Sequence, residues 1–161
     1  MSRALPTYHA ALCDAVATGL EAGAAVRLRA RWTSMRPFLR DGEDVRIVPV
    51  RVETIRPGDV VLVRTEGGAA LHRVLAIDLR AATLLTKGDG VRAGDRATGL
   101  DAVVGRADAV LRRDRWIPLD TRARRLLGCF VSHVLAPREP LRALARLILS
   151  VRRLTAARPF R

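Results

Sequence analysis

The chain has 161 residues, a net charge of +13, and a composition that is 49% hydrophobic but only 4% aromatic. This length is enough for one domain with a substantial core, which must be built mainly from aliphatic side chains. Cys13 and Cys129 lie far apart and form no metal-binding motif, so we expect buried thiols outside any disulfide, with no metal and no cofactor. Residues 1–23 lack a signal-peptide pattern, and no apolar run reaches the roughly 20 residues that span a bilayer. The sequence therefore predicts a cytoplasmic protein, with at most peripheral membrane contact.

The predicted elements begin with a helix over residues 8–22 and a strand over residues 25–33. Short strands separated by turns rich in Gly, Pro and Asp should follow at 44–50, 60–64, 69–78, 82–86, 100–111 and 115–119. Pro57 and Gly58 favour a type II turn before the third strand. Two helices, 121–135 and 138–156, should close the chain.

This order predicts a mainly β fold with an N-terminal helix and C-terminal helices. The expected organisation is an N-terminal helix in residues 1–24, a β-rich domain in 25–119 and a basic helical tail in 120–161. Residues 121–161 contain ten arginines and one acidic residue, a net charge of +9. Within 138–161, Leu141, Leu144, Ile148 and Val151 fall on one helical face, which suits either docking on the domain or an in-plane contact with an anionic membrane. Nucleic acid is an unlikely partner, since no recognition fold or aromatic-rich basic patch is evident.

Three residue types that support nucleophilic catalysis occur at predicted turns and strands. Ser34 follows the first strand and precedes Pro37, which forces an early turn. His72 lies on a predicted strand, and Asp89 and Asp95 follow the next one. A serine hydroxyl needs a nearby base, histidine has an ordinary pKa of about 6.5, and a carboxylate can fix the histidine tautomer. Each residue alone also fits a structural role, and the sequence does not establish that they converge.

Five short motifs in a fixed order resemble those of signal peptidase I. They are SMRP at 34–37, PGDVV at 57–61, HRV at 72–74, LTKGD at 85–89 with Asp95, and VGR at 104–106. Histidine at position 72 is typical of the endoplasmic-reticulum and archaeal type, whereas most bacterial members have lysine there.

The resemblance implies a coiled β-sheet fold, shared with self-cleaving repressors, and a serine endopeptidase that cleaves an extended peptide or leader segment. It implies that Ser34 is the nucleophile, His72 the general base and Asp95 the residue that orients His72. Supporting roles would fall to Asp89, Met35 and Lys87.

Two alternatives remain open. Trp32 and Thr33 occupy positions near the oxyanion hole where the family usually has Ser and Gly, which favours a weak or inactive module that binds peptides or membranes. A self-cleaving repressor would use a Ser–Lys dyad. His72 replaces the dyad lysine, and no DNA-binding helix-turn-helix precedes residue 25, so this second alternative is disfavoured.

Overall fold

A computed structural model describes residues 5–31, 33–66, 68–91 and 97–134. Within these ranges the chain forms two α-helices, α1 (Leu5–Glu21) and α2 (Arg122–Val134). The same residues form eight strands: β1 (Val26–Arg29), β2 (Asp44–Val48), β3 (Val60–Thr65), β4 (Gly68–Asp78), β5 (Thr83–Lys87), β6 (Ala97–Gly99), β7 (Val103–Arg112) and β8 (Arg115–Pro118).

The strands form one antiparallel sheet that curls into a half-barrel. Seven strands follow the order β1-β2-β7-β3-β4-β5-β6, and β8 pairs with β7 beside this path. The register shifts once in each of the β2–β7, β3–β7 and β4–β5 pairs. Such bulges bend a strand and increase its twist, which accounts for the curl. The predicted mainly β fold with helical ends is confirmed.

Strand β3 is central, and both of its faces are buried. Val60 and Leu62 belong to a large apolar cluster that includes Leu20 of α1. Val61 and Val63 point the other way into a smaller cluster on the opposite face. Successive side chains of a strand point to opposite faces. A strand that is covered on both faces therefore has apolar residues at successive positions, as β3 does.

Most element boundaries differ from the predictions by one to three residues. Helix α1 begins at Leu5 instead of residue 8, and the strand predicted over 100–111 begins only at Val103, because Leu100–Ala102 form a short 3₁₀ helix.

Strand β1 ends at Arg29 instead of residue 33, because Ala30 already belongs to a loop closed by the bonds Ala30 N–H to Glu43 O (2.8 Å) and Gly42 N–H to Ala30 O (2.7 Å). Strand β6 was not predicted, since three residues carry too little periodicity to indicate a strand. The predicted helix 138–156 lies outside the described residues.

The predicted turn before β3 is confirmed as type II. Gly58 has a φ of +94°, and the Asp59 N–H donates to the Arg56 carbonyl over 3.0 Å. The positive φ requires glycine at this position.

Neither cysteine is disulfide-bonded. Cys13 is buried as predicted, whereas Cys129 is only half-buried. Burial raises the pKa of both thiols, which keeps them protonated and weakly nucleophilic at neutral pH. Among the described residues, no group of three or more His, Cys, Asp or Glu side chains could hold a metal, and no helix is long and apolar enough to cross a membrane.

The packing of α1 on the sheet depends on the small size of Gly105. A Cβ atom at this position would lie 2.7 Å from Leu20 Cδ1 and 2.8 Å from Ile47 Cγ2. We expect Gly105→Ala to lower the free energy of unfolding by about 1–3 kcal/mol, because the core must move to admit the methyl group. Urea denaturation measures this change. Ala25→Val, a larger addition at an exposed site, should stay within about 0.5 kcal/mol of the wild type, and equal effects would contradict the close packing.

Candidate active site

Ser34 lies in the turn between β1 and β2, where it is half-buried. The next residue, Met35, is 2% exposed and packs in the large cluster, which anchors the turn to the core. The Ser34 carbonyl accepts a 2.7 Å hydrogen bond from the Gly90 N–H. A Cβ atom on Gly88 would lie only 2.9 Å from the Ser34 Cβ. The serine turn and the segment that follows β5 are therefore in direct contact.

His72 lies on β4 opposite Val61 of β3 and is half-buried. Its neighbours on the same face, Ala70 and Val74, pack with the smaller apolar cluster, as the predicted alternation required. The next residue, Arg73, points to the other face of β4. His72 and Arg73 are therefore adjacent in sequence but lie on opposite faces of β4.

Arg73 and Asp89 form a buried, bidentate ion pair. Arg73 Nε and Nη2 donate to the two Asp89 carboxylate oxygens over 2.7 Å each, and the exposed side-chain fractions are 3% and 0%. Arg73 Nη1 donates to the Gly58 carbonyl over 2.8 Å, and the guanidinium lies 4.8 Å from the Phe38 ring centroid. Planar, paired bonds of this kind are strong and orient both partners. Arg73 therefore fixes the segment after β5, the type II turn and the serine turn relative to β4.

Helix α2 completes this network from the far end of the chain. The Ser132 hydroxyl donates to Asp89 Oδ1, and Lys87 Nζ donates to the Ser132 carbonyl over 2.7 Å. Arg125 Nε donates to Asp59 Oδ1 over 2.6 Å. Lys87 and Asp89, predicted as supporting residues, are both fully buried and bonded to α2 or to Arg73.

The structure thus brings the Ser34 turn, Gly88 and Asp89 together. His72 lies on β4 next to Arg73 in sequence, with its side chain on the other face of that strand. Asp95, the predicted orienting residue, lies outside the described residues, as does Trp32. Four participants in the network were not predicted: Arg73, Asp59, Arg125 and Ser132. Arg73 belongs to the HRV motif, but the sequence predicts no role for its side chain. Asp59 was assigned only to its turn, where it does accept the Arg56 N–H over 2.9 Å.

No motif or pattern around Ser132 predicts that it takes part in the site. It lies 43 residues from Asp89, so only the folded chain shows that they meet.

Comparison with known proteins yields no match to any family model, curated protein or solved structure. The resemblance to signal peptidase I therefore rests on the five motifs and stays a prediction.

The geometry predicts that Asp89 acts mainly through stability. Asp89→Asn leaves the buried Arg73 guanidinium without its counter-charge, which typically costs about 3–5 kcal/mol. Urea unfolding should show a loss of that order. Asp114→Asn is a matched control, because Asp114 is exposed and its φ of +60° is one that Asn tolerates. A loss no larger than that of the control would contradict the role assigned to the ion pair.

Proposed function

We propose that the protein is a serine endopeptidase of the signal peptidase I-like type. The observation that carries the proposal is the contact between the Ser34 turn and the Gly88–Gly90 segment. Asp89 ties this segment to Arg73 of β4, the strand that also carries His72. Three of the five motifs, far apart in the sequence, supply these residues. Contact between motif residues from distant segments is what a catalytic site requires, and it supports the proposal.

The proposed reaction is acyl transfer through Ser34. Its Oγ bonds to the scissile carbonyl carbon while its proton passes to the His72 imidazole. The carbon–nitrogen bond then breaks, and the leaving amine takes that proton. A water molecule attacks the resulting ester, gives a proton to His72, and releases the acid as the proton returns to Ser34 Oγ. Asp95 would hold the imidazole in the required tautomer, as the resemblance implies.

The substrate in this proposal is an extended peptide or the leader segment of a precursor protein. We place its cleavage in the cytoplasm or at the surface of a membrane, with residues 138–161 as a peripheral contact to anionic lipid. The thiols do not compete with Ser34 as nucleophiles, since burial raises the pKa of both Cys13 and Cys129. Thr33, an exposed residue beside the nucleophile, favours the second candidate, a module that binds peptides in the same place with little or no cleavage.

Substitution of the two central residues tests the proposal. Ser34→Ala and His72→Ala should each remove nearly all cleavage of a peptide library, because nucleophile and base act as a unit. Both variants should still fold, since both side chains are only half-buried. His72→Lys should also be inactive or badly impaired, because a base needs its geometry as well as its pKa. Full activity in Ser34→Ala would refute the enzyme assignment, and peptide binding without cleavage in the wild type would select the second candidate.

Asp95 should affect the rate of turnover, whereas Asp89 should affect mainly the stability of the fold. Asp95→Asn should lower kcat with little change in the free energy of unfolding, because only the orientation and charge support of His72 are lost. Steady-state kinetics and urea unfolding on the same preparation measure both quantities. A variant that loses stability but keeps its kcat would exclude Asp95 as the orienting residue.

A further inference from the structure

Helix α2 packs on the sheet with its polar side. Arg125, Gly128 and Ser132 lie on successive turns of one face, and the first and last of them bond to Asp59 and Asp89. Gly128 packs directly against the Arg73 guanidinium, with no room for a larger side chain. A helix at the surface of a globular protein normally buries an apolar stripe and exposes a polar one. In α2 this arrangement is reversed.

The opposite face of α2 is apolar and exposed. Leu126, Leu127 and Phe130 are 72%, 53% and 63% exposed, and at 100° per residue they fall with Ala123 on one arc. We call these four residues the α2 outer face. A cluster of large exposed apolar side chains on one element usually marks an interaction site.

Basic residues border the α2 outer face on both sides. Arg122 flanks it at the beginning of the helix, and Arg124 lies one turn before Leu127. Arg124 also lines an open groove together with Arg113, Arg115 and Trp116. An apolar helix face with arginines at its margins and a tryptophan nearby complements the surface of an anionic bilayer. The apolar side chains would enter the interface, and the arginines would contact the anionic headgroups. A second copy of the chain fits less well, because a net charge of +13 opposes self-association.

We propose that the α2 outer face docks on the surface of an anionic lipid bilayer. Because its inner face is bonded to the sheet, α2 cannot enter the hydrocarbon core and lies in the plane of the interface. Its inner face contacts Asp89 and Lys87, next to the Ser34 turn. Docking therefore holds the candidate site about one helix diameter, roughly 10 Å, from the membrane surface. The proposal does not depend on peptide cleavage.

Vesicle co-sedimentation of the full chain tests this docking. The wild type should bind vesicles that contain phosphatidylglycerol, bind pure phosphatidylcholine far more weakly, and lose affinity as salt is raised. The double variant Leu127→Gln/Phe130→Gln should bind the anionic vesicles at least tenfold more weakly. Leu79→Gln is the matched control, because Leu79 is 52% exposed in the turn between β4 and β5, and its affinity should not change. Cooperative thermal unfolding of each variant confirms that it folds.

Several results would overturn the proposal. Wild-type affinity in the double variant would assign membrane binding to another part of the chain, such as residues 138–161. Equal binding to both lipids, or binding to neither, would exclude an anionic surface as the partner. Sedimentation velocity of the same proteins is also measured without lipid. A dimer that is lost in the double variant would instead identify the α2 outer face as an interface between copies of the chain.

Discussion

The buried ion pair between Arg73 and Asp89 is the interaction on which the arrangement of the candidate site depends. Burying two charges is costly, and the cost is recovered only when geometry and additional hydrogen bonds are good. Both conditions hold here, since the pair is bidentate and the carboxylate also accepts the Ser132 hydroxyl. Five segments meet at this pair: β4, the segment after β5, the type II turn, the serine turn and α2. A site assembled from such distant segments needs a rigid centre of this kind.

The same network explains the orientation of α2. Because the helix must deliver polar groups to Asp89, Lys87 and Asp59, its polar stripe faces the sheet. The large apolar residues of the helix are then left on the outside. Periodicity identifies the two stripes of a helix but not which one is buried, and the usual rule would put Leu126 and Phe130 in the core. The reversal is caused by polar and charged partners that lie far from α2 in the sequence. The local pattern of residues within the helix does not reveal these partners.

The predictions that succeeded depend on local physics. Apolar runs and the alternation of apolar and polar residues predicted β3, β4 and β7. The Pro57-Gly58 pair predicted the type II turn. Those that failed depend on contacts between distant residues. The early end of β1 is set by hydrogen bonds to residues 42 and 43, and β6 exists because Ala97–Gly99 meet β5. For the site, the sequence indicated Ser34, His72 and Asp89 but not that Arg73 and Ser132 hold Asp89 in place.

Covalent labelling is the most direct test of the proposal that Ser34 is an activated nucleophile. The purified wild-type chain is treated with a fluorophosphonate, and peptide mass mapping locates the adduct. We predict one adduct, on Ser34, that is lost in His72→Ala because the base activates the hydroxyl. The absence of any adduct, an adduct on another residue, or labelling of Ser34 that persists unchanged in His72→Ala would contradict it.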